Sequence, residues 1–173
     1  MIQWLAKLIF IHLMGWKVEG EFPDINKCIV AVYPHSKNFD FVVGVLTRAV
    51  IKEKINYVGK KELFNPLTGW FFSALGGAPI NRSANENKVA SIAKIFKERK
   101  SFRLAIAPEG TRKKVKRWKT GFYFIAKEAK VPIVLTHFNY KHKKVSFLGL
   151  FNPTNDKESD FKFMEKAFAD AAA

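Results

Sequence analysis

His35 and Asp40 are the two side chains whose types and spacing point most directly to chemistry. Between them runs Ser36-Lys37-Asn38-Phe39; before His35 lies the apolar stretch Cys28–Val32, and after Asp40 lies another, Phe41–Leu46. That order reads as a buried strand, a short polar turn and a helix. Within one continuous helix, residues five apart point about 140° away from each other, so the imidazole and the carboxylate would not meet there. Across a strand-to-helix turn they do. A carboxylate on one ring nitrogen fixes the tautomer, leaves the other nitrogen free as a general base and stabilises the imidazolium that forms. The carboxyl end of a strand is also where open α/β sheets place their ligands. No protein nucleophile accompanies the pair, because Ser36 is adjacent to the base in sequence and neighbouring side chains diverge. The hydroxyl to be activated is then the substrate's own. The alternative for Asp40, or Asn38, is a purely structural N-cap on the following helix.

The elements that must hold this pair follow from periodicity. Phe41–Lys52 has the spacing of a helix that buries Val42, Val43, Leu46, Ala49 and Val50. Ile55–Gly59 reads as a second strand, which completes a β-α-β unit and implies a parallel sheet. Leu67–Leu75 is rich in aromatics and stops at Gly76-Gly77. Its Trp70, Phe71 and Phe72 are expected in the core, with the lining of an acyl-chain pocket as the alternative. A short extended piece spans Ala78–Arg82, and a helix is predicted over Glu86–Lys100, with Val89, Ile92, Ala93 and Phe96 inward. Phe102–Ala107 is the next strand, and polar residues again cluster at its carboxyl end, Pro108-Glu109-Gly110-Thr111-Arg112. Trp118–Ala129 is predicted helical, Val131–Leu135 a strand, Tyr140–Leu148 a hairpin turning through Lys141–Lys144, and Ser159–Ala172 a terminal helix. With no internal repeat and no low-complexity linker, residues 1–173 form one α/β domain with a mostly parallel central sheet flanked by helices.

The opening stretch, Met1–Trp16, is apolar apart from Gln3, Lys7 and His12, with Ala6 and Gly15 as small residues. Sixteen helical residues reach roughly 24 Å, short of the ~30 Å hydrocarbon core, so the segment is not expected to span a bilayer. It lacks the basic lead-in and small-residue cleavage site of a signal peptide. Two readings stay open: a helix buried on the domain, or an interfacial helix with Trp4, Trp16 and Lys7 at headgroup level. The narrow polar stripe favours the second.

Composition narrows the class. The chain has 173 residues, 48% of them apolar, and 30 Lys and Arg against 15 Asp and Glu for a net charge of +15. Such a balance implies an anionic partner: nucleic acid, an anionic membrane surface or an acidic ligand. The single Cys28 sits in an apolar run, so an intrachain disulfide is excluded and a reducing compartment fits. Neither a zinc-ligand spacing nor a glycine-rich phosphate loop occurs. His12, His137 and His142 stand in no comparable pattern and are read as structural or solvated. A nucleic-acid binder would account for the charge, but no motif of the known nucleic-acid modules is present.

Four stretches, in order, resemble the glycerolipid acyltransferases of the 1-acyl-glycerol-3-phosphate acyltransferase type. His-x4-Asp is His35 to Asp40; Gly-x-x-Phe-Ile-x-Arg is similar to Gly76–Arg82; Phe-Pro-Glu-Gly-Thr-Arg-Ser is similar to Ala107–Lys113, with five consecutive matches from Pro108 to Arg112; and Val-Pro-Ile-Val-Pro is similar to Val131–Leu135. The departures are Pro34, Pro79, Ala107, Lys113 and Leu135, none of which removes a side chain assigned to chemistry. The resemblance implies transfer of a fatty acyl group from acyl-coenzyme A or acyl carrier protein to the hydroxyl of a lysophospholipid such as 1-acyl-glycerol-3-phosphate. His35 would be the base, oriented by Asp40. Glu109, Gly110, Thr111 and Arg112 would bind the acceptor's phosphate end, assisted by Arg82, with Glu109 pairing with an arginine or taking a hydroxyl proton. A thioester is already activated, so neither metal nor cofactor is required. The family also implies a peripheral position on the cytoplasmic side of a membrane. The basic tract Arg112–Lys119 would supply attraction to anionic headgroups and the opening stretch the apolar contact. Within acyl transfer the rivals are another lyso-lipid or amino-acid-linked lipid as acceptor, or water.

Overall fold

A computed structural model of the protein describes residues 3–80, 88–113 and 115–173. Strand β2 (Lys27–Tyr33) is the centre of the sheet. Its alternation sends Cys28, Val30 and Val32 to one face, and Ile29, Ala31 and Tyr33 to the other, and both sets are packed into apolar clusters. A strand apolar on both faces must be covered on both, which is the condition for a parallel sheet with helices on each side. On the first face lie α1 (Gln3–Lys7), which continues as a π-helical segment over Leu8–Leu13, and α2 (Asp40–Val50). On the second lie α4 (Lys88–Glu98), α5 (Gly121–Ala129) and α6 (Lys157–Ala172). The short α3 (Gly69–Ala74) belongs to neither layer and buries no residue.

The other strands are β1 (Lys17–Glu19), β3 (Ile55–Lys60), β4 (Gly77–Ile80), β5 (Phe102–Ile106), β6 (Ile133–Asn139) and β7 (Lys144–Phe151). They form one seven-stranded sheet in the order β1-β7-β6-β2-β5-β3-β4. Every neighbouring pair is parallel except β6 and β7, the hairpin expected from Tyr140–Leu148. The single α/β domain with a mostly parallel sheet is therefore as the periodicity predicts. β1 has no counterpart in the sequence reading, since three residues alternating Lys-Val-Glu carry no strand signal of their own.

Two expectations about apolar segments change. In the opening stretch Ala6, Phe10 and Trp16 are buried against α2 and the sheet, while Trp4, Leu5, Leu8 and Leu13 remain exposed. The segment is thus part of the core as well as an apolar surface, and losing a buried ring such as Phe10 would cost about 3–5 kcal/mol. In α3 the aromatics expected in the core are not there: Trp70 is 72% exposed and Phe71 is exposed too. Helix α2 also buries Thr47 rather than Val42.

Candidate active site

The register of the sheet assembles the site. β2, β5 and β6 are adjacent and parallel, with Ala31 opposite Ile106 and Tyr33 opposite His137, so all three end on one rim. The turn after β2 carries His35, the turn after β5 carries Glu109 to Arg112, and the residue after β6 is Tyr140. Three sequence-distant loops become neighbours because parallel strands put their carboxyl ends together.

Helix α2 begins at Asp40, and that turn folds the carboxylate back toward the strand end. His35 Nδ1 lies 2.8 Å from Asp40 Oδ2, the same oxygen that accepts the backbone N–H of Lys37 at 2.9 Å. The structural alternative for Asp40, a helix cap, is not what its side chain does: the residue at the cap position is Phe39, and no side chain caps there. The His35 side chain keeps 27% of its surface exposed whereas that of Asp40 keeps 2%. The imidazole is thus reachable while the carboxylate beside it is desolvated, which strengthens their interaction. With Nδ1 engaged, Nε2 is the nitrogen left to exchange a proton with a bound molecule.

Two further groups complete this wall. The Tyr140 hydroxyl donates to Asp40 Oδ1, so both carboxylate oxygens are occupied. Tyr140 is itself fixed by an edge-on contact with Trp16, ring centroids 5.1 Å apart, and by Lys37, whose Nζ lies 4.1 Å from the ring centroid. Burial first, and then the carboxylate it donates to, raises the Tyr140 phenol above its ordinary range, so the hydroxyl stays a donor. On the other side, buried Glu109 accepts the backbone N–H of His35 at 2.5 Å through Oε2. This bond joins the β5 turn to the β2 turn. Gly110, in the same turn, has φ +63° and sits against Lys119, so a side chain there would be both strained and crowded.

Beside the wall opens a cavity of about 450 Å³, lined by His35, Asp40 and Arg112. It runs beneath α2 along the sheet, past Val32, Gly44, Ala105 and Phe138, as far as Arg48 and Leu75. A side chain on Gly44 would meet nothing within 4 Å, and its absence leaves the cavity open at mid-length. The far part of the lining holds Arg48, whose guanidinium donates to the carbonyls of Ile55 and Leu75; burial lowers its pKa. An elongated, mostly apolar space with a polar end at His35 fits a hydrocarbon chain attached to a reactive polar group.

The structure thus brings His35, Asp40, Glu109 and Arg112 to one place. Gly110 and Thr111 shape the turn between the last two, and the Thr111 hydroxyl accepts the backbone N–H of Lys113 at 3.3 Å. Arg82 lies outside the described residues. Sequence reasoning missed Tyr140, which is 100 residues from Asp40 and belongs to no local pattern; only the pairing of β6 with β2 could have revealed it. His137 is buried on the face opposite the cavity, near Phe168, and burial lowers its pKa, so it faces the core as a structural histidine would. Among the described residues no group of His, Cys, Asp and Glu is arranged to hold a metal ion.

The fold is similar to that of a solved enzyme, the 1-acyl-sn-glycerophosphate (LPA) acyltransferase PlsC from Thermotoga maritima. The TM-score is 0.68 over 98% of this chain and 76% of that one, at 18% identity. No curated protein matches the chain in sequence. The model of the Acyltransferase family matches residues 16–136, which contain the whole wall except Tyr140, and on that match this protein belongs to the Acyltransferase family.

Proposed function

We propose that the protein transfers a fatty acyl group from an acyl thioester, acyl-coenzyme A or acyl carrier protein, to the free hydroxyl of a lysophospholipid, 1-acyl-glycerol-3-phosphate giving phosphatidic acid. The observation that carries this reading is the His35–Asp40 pair at 2.8 Å, standing at the polar end of an apolar cavity that Arg112 also lines. His35 Nε2 takes the proton of the acceptor hydroxyl as its oxygen attacks the thioester carbonyl carbon. Asp40, with both oxygens held by Lys37 N–H and Tyr140, stabilises the imidazolium formed at that moment. The tetrahedral intermediate then collapses, the carbon–sulfur bond breaks, and the thiolate leaves with the proton carried by His35. No cofactor enters, since the thioester supplies the activation. Arg112 is exposed at the mouth of the cavity and suits the acceptor's phosphate, because a guanidinium keeps its charge and matches phosphate in two-point geometry. The family resemblance gives Arg82 the same task.

The enzyme would work from the cytoplasmic side as a peripheral protein. Among the described residues no helix is long and apolar enough to cross a membrane. The exposed side of the opening segment and the basic tract after Arg112 are the two signals that stable peripheral binding takes. The test of the chemistry is incubation of the purified protein with acyl-coenzyme A or acyl carrier protein and a panel of lyso-acceptors, with the product identified by mass. An acylated 1-acyl-glycerol-3-phosphate supports the reading. Acylation of a different acceptor changes its substrate, release of free fatty acid alone makes the protein a hydrolase, and an untouched thioester refutes acyl transfer.

A further inference from the structure

Helix α3 and the turn before it carry the most exposed large apolar side chains next to the cavity. Leu67 is 81% exposed and Trp70 72%, with Phe71 beside them. A cluster of this kind marks a contact surface rather than ordinary scatter of apolar residues. Three observations say what covers it.

First, the cluster is continuous with the cavity. Trp70 contacts Phe71 at 5.9 Å between ring centroids, and Phe71 contacts Phe72 at 5.6 Å. The Phe72 carbonyl receives the Tyr57 hydroxyl, and Tyr57 meets Phe41 edge-on at 5.3 Å. Tyr57 and Phe41 both line the cavity. Ring contacts and one hydrogen bond therefore link the surface cluster to two residues of the cavity lining.

Second, the polar atoms of the patch are already satisfied. The Trp70 indole N–H donates to the Leu67 carbonyl at 3.0 Å, and Asn65 Oδ1 accepts the backbone N–H groups of Leu67 and Thr68. Removing water from these groups leaves no orphaned donor, which is the condition for entering an apolar phase cheaply. Third, the loops at the carboxyl ends of the strands, among them the one that leads from β3 into α3, are cationic. Lys37, Lys61, Arg112, Lys113, Lys116, Arg117 and Lys119 are all exposed at the same ends of the strands. Asp40 and Glu109 are buried and engaged; among the described residues the exposed acids at these strand ends include Glu62 and Glu165, the latter close enough to Tyr33 to act on its phenol. A second copy of the chain would bring two such sets of loops together, like charge against like. An anionic bilayer matches both the apolar cluster and the basic loops.

We propose that Leu67, Trp70 and Phe71 form a membrane-docking surface that inserts into the interfacial layer of an anionic bilayer and opens the cavity toward the lipid. This deepens the acyl-transfer reading and rests on it for its purpose, although the docking itself is measurable without turnover. A lipid-borne chain could then enter past Phe41 and Tyr57 without crossing bulk water. The residues of this surface are distinct from those of the opening segment, which packs against α2.

The test uses the full chain and vesicles of phosphatidylglycerol with phosphatidylcholine. Leu67→Ser together with Trp70→Ser should weaken flotation with these vesicles at least about tenfold, since full burial of one large apolar side chain is alone worth about that factor. Circular dichroism and the melting temperature of the variant should match the parent, because neither side chain is buried. A second measurement keeps the parent surface: brominated lipids should quench the parent's tryptophan fluorescence, and Trp70→Phe should remove a distinct share of that quenching which Trp4→Phe does not. Unchanged flotation by the double variant, or identical quenching with and without Trp70, overturns the proposal. So does a concentration-dependent dimer in lipid-free solution that Leu67→Ser and Trp70→Ser abolish, which would assign the patch to self-association. A parent protein that consumes no acyl thioester but still loses vesicle binding on these substitutions refutes the acyl-transfer reading and leaves the docking surface standing.

Discussion

Asp40 and Asp160 are both buried aspartates that accept a tyrosine hydroxyl, from Tyr140 and Tyr123 respectively. Around Asp160 every partner ends inside the protein: the Thr154 N–H and the Thr154 hydroxyl at 2.7 Å each, and Tyr123 at 2.8 Å. These bonds tie α6 and the loop after β7 to α5. Burial alone would raise the Asp160 carboxyl, but the Thr154 and Tyr123 hydrogen bonds outweigh it and hold it below the usual carboxylate value. In turn burial, with help from that carboxylate, pushes the Tyr123 phenol up to about 12. Asp40 has the same kind of tyrosine and the same kind of backbone donor. What differs is its third partner, an imidazole whose second nitrogen is free to meet a cavity. A fully satisfied buried carboxylate is a structural joint; it becomes machinery when one of its partners can pass a proton onward.

That contrast is broken most sharply by removing the imidazole. His35→Ala should lower kcat by about 10²–10⁴-fold, the range a general base contributes, while the melting temperature stays close to the parent's because the ring is part-exposed. Asp40→Asn should fall in the same range, since an amide can hold the wrong tautomer of the ring. If Asp40→Asn lost only stability and kept its turnover, Asp40 would be a second Asp160.

The reverse substitution tests the other half. Asp160→Ala leaves the Thr154 N–H and hydroxyl without their buried acceptor, while the Tyr123 hydroxyl keeps the Thr154 carbonyl at 3.0 Å. It should cost about 1–3 kcal/mol, seen as a fall in Tm of about 2–4 °C per kcal/mol for a chain of this size. Its folded pKa is depressed, so its contribution is present above the unfolded value near 3.8 and is lost as pH falls through the folded value. The parent should therefore show an acid-side loss of stability below about pH 4 that is smaller in Asp160→Ala. Equal acid profiles, measured by thermal melts across that window, would remove the linkage.

The two clusters were not equally legible. His35 and Asp40 stand five residues apart across a strand-to-helix turn, and local geometry alone brings them together. The loop after β5 was legible as a polar cluster at a strand end, but not the bond from Glu109 to the His35 amide, because a side chain reaching a backbone N–H leaves no trace in composition. Tyr140 and the Thr154–Asp160–Tyr123 joint depend on which strands lie side by side, which a parallel sheet decides only after crossovers close. Apolar residues misled in a different way. Trp70 and Phe71 were expected inside because hydrophobicity tells that a side chain avoids water, not which surface relieves it of water. Phe10 and Trp16, placed in an ambiguous segment, proved to be core on one side while Trp4 and Leu8 stayed outside.

A smaller effect is expected where the two clusters are most alike. Tyr140→Phe removes the donor from Asp40 and keeps the ring between Trp16 and Lys37. Part of the roughly 1.5–3 kcal/mol that a hydrogen bond to a charged group contributes should appear in the barrier, giving about a tenfold fall in kcat with KM unchanged. Tyr123→Phe, its counterpart, should lower Tm and leave kcat alone. A Tyr140→Phe enzyme with parental kcat and lowered Tm would make Tyr140 a structural residue like Tyr123.

Least should change at Ser36. It is the hydroxyl nearest in sequence to His35, yet it is exposed at the start of the turn, whereas His35, Asp40 and Glu109 are tied to one another. A nucleophilic serine has to lie within hydrogen-bond reach of the base, about 2.6–3.2 Å, and be held there. If the acceptor hydroxyl is itself the nucleophile, Ser36→Ala should keep kcat within about twofold of the parent, in line with the small effects of surface substitutions. No acyl adduct should then be found on the intact protein by mass after reaction with acyl-coenzyme A in the absence of acceptor. An acylated Ser36, or loss of turnover in Ser36→Ala comparable to that in His35→Ala, would convert direct transfer into a two-step mechanism in which His35 activates the protein's own hydroxyl.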